Sequence, residues 1–100
     1  MITGFQKKVY DLVARVPRGK VTTYGSIAKK LAVSSRAVGQ ALRVNPYAPK
    51  VPCHRIVRSD GAIGGFRGKT SGKAIDEKIE MLRKEGVVVE KWIFDKRFFF

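Results

Sequence analysis

The segment VPCHRIV, residues 51–57, carries the single cysteine and the single histidine of the chain side by side. Sulfur is a strong nucleophile only as thiolate, and imidazole is the side chain whose ordinary pKa suits it to take up a proton near neutrality. A base beside a nucleophile is therefore the pairing that alkyl or acyl transfer to sulfur requires. Adjacency is not contact, because successive side chains of an extended segment point to opposite faces. A local turn, a bridging water or a helix beginning at Pro52 would let Cys53 and His54 communicate, and a helix N-terminus would also favour the thiolate. On these residues alone the opposite reading stands beside it, an inert thiol buried as a small hydrophobe next to a structural histidine.

Composition narrows the setting. One cysteine cannot close an internal disulfide, and with one histidine it falls short of a four-ligand zinc site, so no metal is expected and the free thiol fits the reducing cytoplasm. Lys and Arg number 21 against 8 Asp and Glu, a formal charge of +13. Such an excess suits a polyanion, nucleic acid first and an anionic membrane surface second. No apolar run approaches the ~20 residues of a spanning helix, and the opening MITGFQKKVYDLV lacks the pattern of a secretory signal, so no membrane partner is expected. At 100 residues the chain is expected to form one domain.

The elements that must hold the pair read as mainly helical α+β. Residues 3–16 have helical periodicity, with Phe5, Val9, Leu12, Val13 and Val16 on one face and capping-box spacing between Thr3 and Gln6. PRGK, residues 17–20, ends this helix, and VTTYGS is extended or looped. A second helix runs from about Tyr24 to Leu31 with Ile27, Ala28 and Leu31 inward. Ser34 caps a third, SRAVGQALRV, with Ala37, Val38, Ala41 and Leu42 inward and Ser35, Arg36, Gly39, Gln40 and Arg43 largely outward. The two fit a helix-turn-helix or a plain helical hairpin, and the net charge favours the DNA-binding form. NPYAPKVP, residues 45–52, is too rich in proline for regular helix. IVRSDGAIGGF suggests a small β-hairpin about its SDG turn. Residues 71–85 predict a last helix with Ile75, Ile79 and Leu82 inward and Gly86 following its end. VVVEKWIF predicts a strand, and the terminal DKRFFF must pack its phenylalanines or leave a sticky end.

PCHRIVRSDGAIGGF resembles the active-site segment of the O6-alkylguanine-DNA alkyltransferases (methylated-DNA–protein-cysteine methyltransferases), in which PCHR is followed by an apolar pair and a glycine-rich turn ending in Phe or Tyr. GKVTTYGSIA, SSRAVGQALRVNP and EMLRKEG resemble further segments of that family in the same order, so the resemblance covers nearly the whole chain. It implies a winged helix-turn-helix-like fold and direct reversal of DNA damage. The cysteine would take the alkyl group from O6 of guanine in double-stranded DNA, once and irreversibly, without cofactor or external methyl donor, and the protein would act as a monomer. The chain would begin directly at the catalytic domain, without the N-terminal domain that many members carry.

The same resemblance implies roles for particular residues. Cys53 would be the acceptor, His54 the base acting through water, and Glu85 the carboxylate that holds its imidazole. Asn45 would brace the Cys53 segment. Tyr24 would sit by the base pocket and donate to the departing purine. Val51, Pro52 and the backbone of Val57 would edge that pocket, with Gly64, Gly65 and Phe66 as its mobile wall. Because the target atom is inaccessible in a duplex, the nucleotide must flip out. Arg36 would fill the vacated space. Ser35, Ala37, Gly39 and Gln40 would lie along the minor groove, and Arg43 would hold phosphate. The nearest rival is an alkyltransferase-like lesion binder that does not react. Such relatives replace the cysteine, often with tryptophan, and Cys53 argues against it.

Overall fold

The computed structural model describes residues 3–48, 50–66, 72–89 and 96–100. Helix α1, Gly4–Val13, starts at the capping box expected of it: Thr3 Oγ1 accepts the Gln6 N–H at 3.0 Å, and Gln6 Oε1 accepts the Thr3 N–H at 2.9 Å. It ends three residues before Val16 rather than at it. Pro17 disfavours helical backbone for the residue before it. The chain tightens into i→i−3 bonds, Arg15 to Leu12 and Val16 to Val13, and Val16 is buried without being helical.

Strand β1 is Thr22–Thr23, and α2 follows at once as Tyr24–Leu31, capped by Thr23 Oγ1 on the Ser26 N–H. Ala32 turns the chain with φ of +55°, and α3, Ser35–Arg43, opens at the expected cap, Ser34 Oγ accepting the Ala37 N–H. Ile27 and Ala28 of α2 pack on Val38, Ala41 and Leu42 of α3 and on Val9, Tyr10 and Val13 of α1, with Ile56 closing this first core cluster. Tyr10, an apolar ring with a polar tip, donates its hydroxyl to the Ala41 carbonyl at 2.7 Å and so ties α1 to α3.

The β-structure is arranged differently from the expected hairpin. Strand β2, Ile56–Val57, pairs in parallel with β1, Thr22 opposite Ile56 and Thr23 opposite Val57. With its ladder taken by β1, the SDG segment closes only a turn, Arg58 N–H to Ala62 O at 2.9 Å, stiffened by Asp60 Oδ1 on the Ala62 N–H. Helix α4 is Lys73–Lys84, with Glu85 as its C-cap and Gly86 beyond it at φ +88°. Arg18, in the loop after α1, donates to the Lys84 carbonyl at 2.9 Å, covering one of the acceptors that a helix C-terminus leaves open. Val87–Val89 alternate buried, exposed, buried but form no assigned strand, and residues 90–94 of the expected strand lie outside the described residues.

The terminal phenylalanines do pack. Phe99 bridges Val21 in parallel, with Val21 N–H donating to Phe98 O and Phe100 N–H donating to Val21 O at 2.7 Å. Phe98 and Phe99 lie against a second core cluster of Val21, Val57, Ile63, Leu82, Val87 and Val89, while Phe100 stays exposed. Among the described residues no helix is long and apolar enough to cross a membrane.

Candidate active site and nucleic-acid interface

Pro52 leads out of the turns of residues 46–48 and 50–51, and Cys53–Arg55 coil into one 3₁₀ turn before β2. Cys53 stays half-buried, while His54 turns into the protein, 3% exposed, and meets α4. Its Nε2 lies 3.0 Å from Glu85 Oε2. The same carboxylate takes a two-pronged contact from Arg55, Nε to Oε1 at 2.9 Å and Nη2 to Oε2 at 2.7 Å, and Arg55 Nη1 reaches the Val16 carbonyl at 2.9 Å. Glu85 thus binds both residues that follow the cysteine, and Arg55 ties them to the end of the α1 segment.

The electrostatics fix the protonation states. Burial alone would raise the Glu85 pKa, but hydrogen bonds from Arg55 and His54 outweigh it and hold the carboxyl down at about 2. Burial pulls the His54 pKa below its ordinary value, and Arg55 and Lys78 add to this, against the opposing pull of Glu85. A neutral imidazole facing an ionised carboxylate carries its proton on Nε2, which leaves Nδ1 as an acceptor. This is the tautomer of a base held ready by a carboxylate.

Asn45, just past α3, donates Nδ2 to the Val51 carbonyl at 2.9 Å and accepts the Tyr47 N–H on Oδ1 at 2.9 Å. It braces residues 45–51 across the proline-rich loop, and the Cys53 N–H returns to the same Val51 carbonyl at 2.8 Å. Val51 packs on the first cluster, and Pro52 is buried. Val57 is fully enclosed in the second cluster, so its side chain faces the core. Tyr24 opens α2 and directs its hydroxyl to the Gly65 carbonyl at 3.4 Å, a long contact. Burial foremost, and then Cys53, push its pKa up to about 12, so the phenol keeps its proton. Gly64 has φ of +73°, and a Cβ there would stand 3.2 Å from Tyr24 Cε2, so the chain can lie on the tyrosine ring only as glycine. Phe66 is buried rather than lying open at the surface.

A second feature is a groove of about 460 Å³ lined by Tyr24, Ser35, Arg36, Gly39 and the turn Arg58–Asp60. The structure therefore brings three of the α3 residues, Ser35, Arg36 and Gly39, to one groove with Tyr24. Gln40 and Arg43 are exposed on α3 outside that lining, and Ala37 is half-buried.

Two residues that matter here are not singled out by the sequence patterns. Arg55 reads there only as a nearby cation. Lys78 is 0% exposed and donates to three backbone carbonyls beside the site. A signal for it exists: with Ile75, Ile79 and Leu82 it occupies the helical stripe i, i+3, i+4, i+7, so a lysine stands at a core position.

The sequence model described as "6-O-methylguanine DNA methyltransferase, DNA binding domain" matches residues 4–87. A methylated-DNA–protein-cysteine methyltransferase of Thermococcus kodakarensis is 52% identical over 87 residues, 86% of this chain and 47% of the relative. A DNA base-flipping protein of Thermus thermophilus is 40% identical over 81 residues, 81% of this chain and 52% of the relative. The chain spans about half the length of the curated relatives it matches. Among solved structures, S. pombe Atl1 in complex with damaged DNA containing O6-carboxymethylguanine has a TM-score of 0.83 and 29% identity, covering 100% of this chain and 98% of that one.

Proposed function

From membership in the 6-O-methylguanine DNA methyltransferase family, to whose DNA-binding domain this chain belongs, we propose that it repairs O6-alkylguanine in duplex DNA by moving the alkyl group to Cys53. The observation that carries the proposal is Glu85 holding His54 by Nε2 on the turn that begins at the lone cysteine. The thiol proton passes through a water to His54 Nδ1. The thiolate attacks the alkyl carbon, the S–C bond forms, the C–O6 bond breaks, and the electron pair leaves with guanine. Tyr24, which keeps its proton because its pKa is raised to about 12, hydrogen-bonds to the purine as negative charge develops, and the proton taken from the thiol returns through His54 and water to leave guanine restored in the strand. The thioether is final, so each molecule acts once. No cofactor takes part.

The exposed face of α3 supports the DNA step. Arg36 enters the space left by the flipped nucleotide, Gly39 permits close approach of the helix, and Ser35, Ala37 and Gln40 line the contact. Arg43 neutralises phosphate. The protein acts as a monomer in the cytoplasm, where its thiol stays reduced.

The likeness to Atl1 and to a base-flipping protein supports a second reading, a lesion binder that does not react. One incubation separates them. The protein is mixed with duplex DNA containing O6-methylguanine, digested, and the peptide carrying Cys53 is weighed. A methyl increment on that peptide, lost in Cys53→Ser with duplex affinity retained, is the expected outcome. Lesion binding with no increment on Cys53 would sink the transferase and leave the binder.

A further inference from the structure

Lys78 has no part in the chemistry just described, yet it is among the most enclosed side chains of the protein. Its ammonium donates to the carbonyls of Ile56 at 2.6 Å, Ile63 at 2.5 Å and Gly65 at 3.1 Å. Three N–H groups meet three acceptors, and none of the three is a carboxylate. A core position filled by methionine or leucine would avoid the desolvation of a cation. What the lysine adds is a fixed distance between three pieces of backbone. Ile56 continues from the turn that carries Cys53 and His54, while Ile63 and Gly65 flank Gly64, which lies on the ring of Tyr24. Gly65 O is shared, since it also accepts the Tyr24 hydroxyl. Lys78 stands about two helical turns before Glu85 on α4. One helix thus holds the base from its end and the loop across from it with its middle.

We propose that Lys78 is a positioning residue that sets the wall of the base pocket by clamping Gly65 and Ile63 to β2, and through Gly65 the donor of Tyr24. This rests on the reading of Tyr24 and Gly64–Phe66 as the lining of the base pocket. The clamp is complete only with the third proton. A neutral amine keeps two N–H groups, so one carbonyl loses its donor. Burial pulls the pKa of Lys78 to about 7, with Cys53 acting in the opposite sense, so the clamp titrates in the working range.

The test uses the ratio of affinities for duplexes with and without O6-methylguanine, measured in a Cys53→Ser background so that no transfer intervenes. Because this ratio does not depend on transfer, it reports on the wall even if the protein proves to be a lesion binder only. Lys78→Met, close in shape and unable to donate, should lower the ratio about tenfold while affinity for undamaged duplex stays within about twofold. An unchanged ratio in the folded variant overturns the proposal. Should Lys78→Met fail to fold, the Cys53→Ser protein itself decides between about pH 6.5 and pH 9. The groups facing the clamp are Glu85, ionised in that window, with Arg55 paired to it, Tyr24, which stays neutral, His54, whose pKa lies below its ordinary value, and Cys53, here replaced by serine. The Cys53→Ser change removes the thiol that raises the Lys78 pKa, so the ratio should fall as pH rises, with a midpoint no higher than about 7, and a ratio flat across that window overturns the proposal equally.

Discussion

At the residue scale, Glu85 concentrates the electrostatics of the site. Its side chain is 8% exposed, and its two oxygens serve His54 and a forked arginine. Breaking such a pair from one side leaves a buried cation without its partner, which costs about 3–5 kcal/mol. Glu85→Gln should therefore destabilise the protein by an amount near that range in denaturant titration. It should also slow single-turnover alkyl transfer by at least about tenfold, since the imidazole loses the anion that fixes its tautomer. The pH dependence has a definite sign. The folded pKa of Glu85 lies below its unfolded value, so its contribution is present above about pH 4 and is lost as pH falls toward about 2. His54, also depressed, takes a proton more readily unfolded and removes stability in the same direction, starting below its ordinary value near 6.5. Acid unfolding should thus set in at His54 and steepen at Glu85, and the Glu85→Gln variant should lack the steeper part. Lys78 works in the opposite pH region: depressed to about 7, it makes stability rise with pH above 7, while the clamp it forms loosens.

At the scale of elements, α3 joins a buried face of Val38, Ala41 and Leu42 to an outer face with a glycine in mid-helix. Nothing lies within 4 Å of a Cβ placed at Gly39. Gly39→Ala should stabilise the fold by about 0.5–1 kcal/mol, from helix propensity alone. It should nonetheless weaken duplex binding, because the added methyl stands on the face offered to the groove. Stabilisation with unchanged DNA affinity, measured by thermal melting and by titration of duplex, would remove α3 from the interface. The helices were legible because caps and periodicity are local. Thr3 with Gln6, Ser34, and the stop after Leu31 all act within a few residues. The partners of short strands are not local. Nothing in IVRSDG tells β2 to prefer Thr22–Thr23 in parallel over its own return strand, since that choice depends on how α2 and α3 present β1. The Cys53–His54–Glu85 grouping was legible only through family resemblance. Arg55 reads in the sequence as a cation beside the cysteine, but nothing local tells that it forks onto Glu85 rather than facing solvent. Lys78 escaped notice because a single lysine in an apolar stripe is easily taken for an interruption.

At the scale of the whole molecule, two core clusters meet at the β1–β2 pair. The first belongs to α1, α2 and α3, the second to α4, Val21 and the terminal tail. Removing Phe98–Phe100 would leave Val21 N–H and C=O without their partners and uncover part of the second cluster. Such a truncation should cost about 2–4 kcal/mol in denaturant titration, from lost apolar burial and two backbone bonds. It should leave the exposed face of α3 able to bind duplex where the protein is still folded. A charge of +13 also predicts that duplex affinity falls steeply and log-linearly with salt, and a flat dependence would contradict phosphate contact. The bridge between Val21 and Phe99 carries a further consequence for the order of assembly. The first cluster is drawn from residues between Val9 and Ile56, so a ribosome can release all of it while the rest is still being made. The second cannot close until Phe98 and Phe99 have been translated, because they are its covering side chains. The loop joining Val21 to Phe99 spans most of the chain, so its closure is entropically the costliest contact and belongs late on the folding path. A nascent chain stalled before residue 98 would therefore hold a folded helical half and an open second core, which suits it to recognition by chaperones.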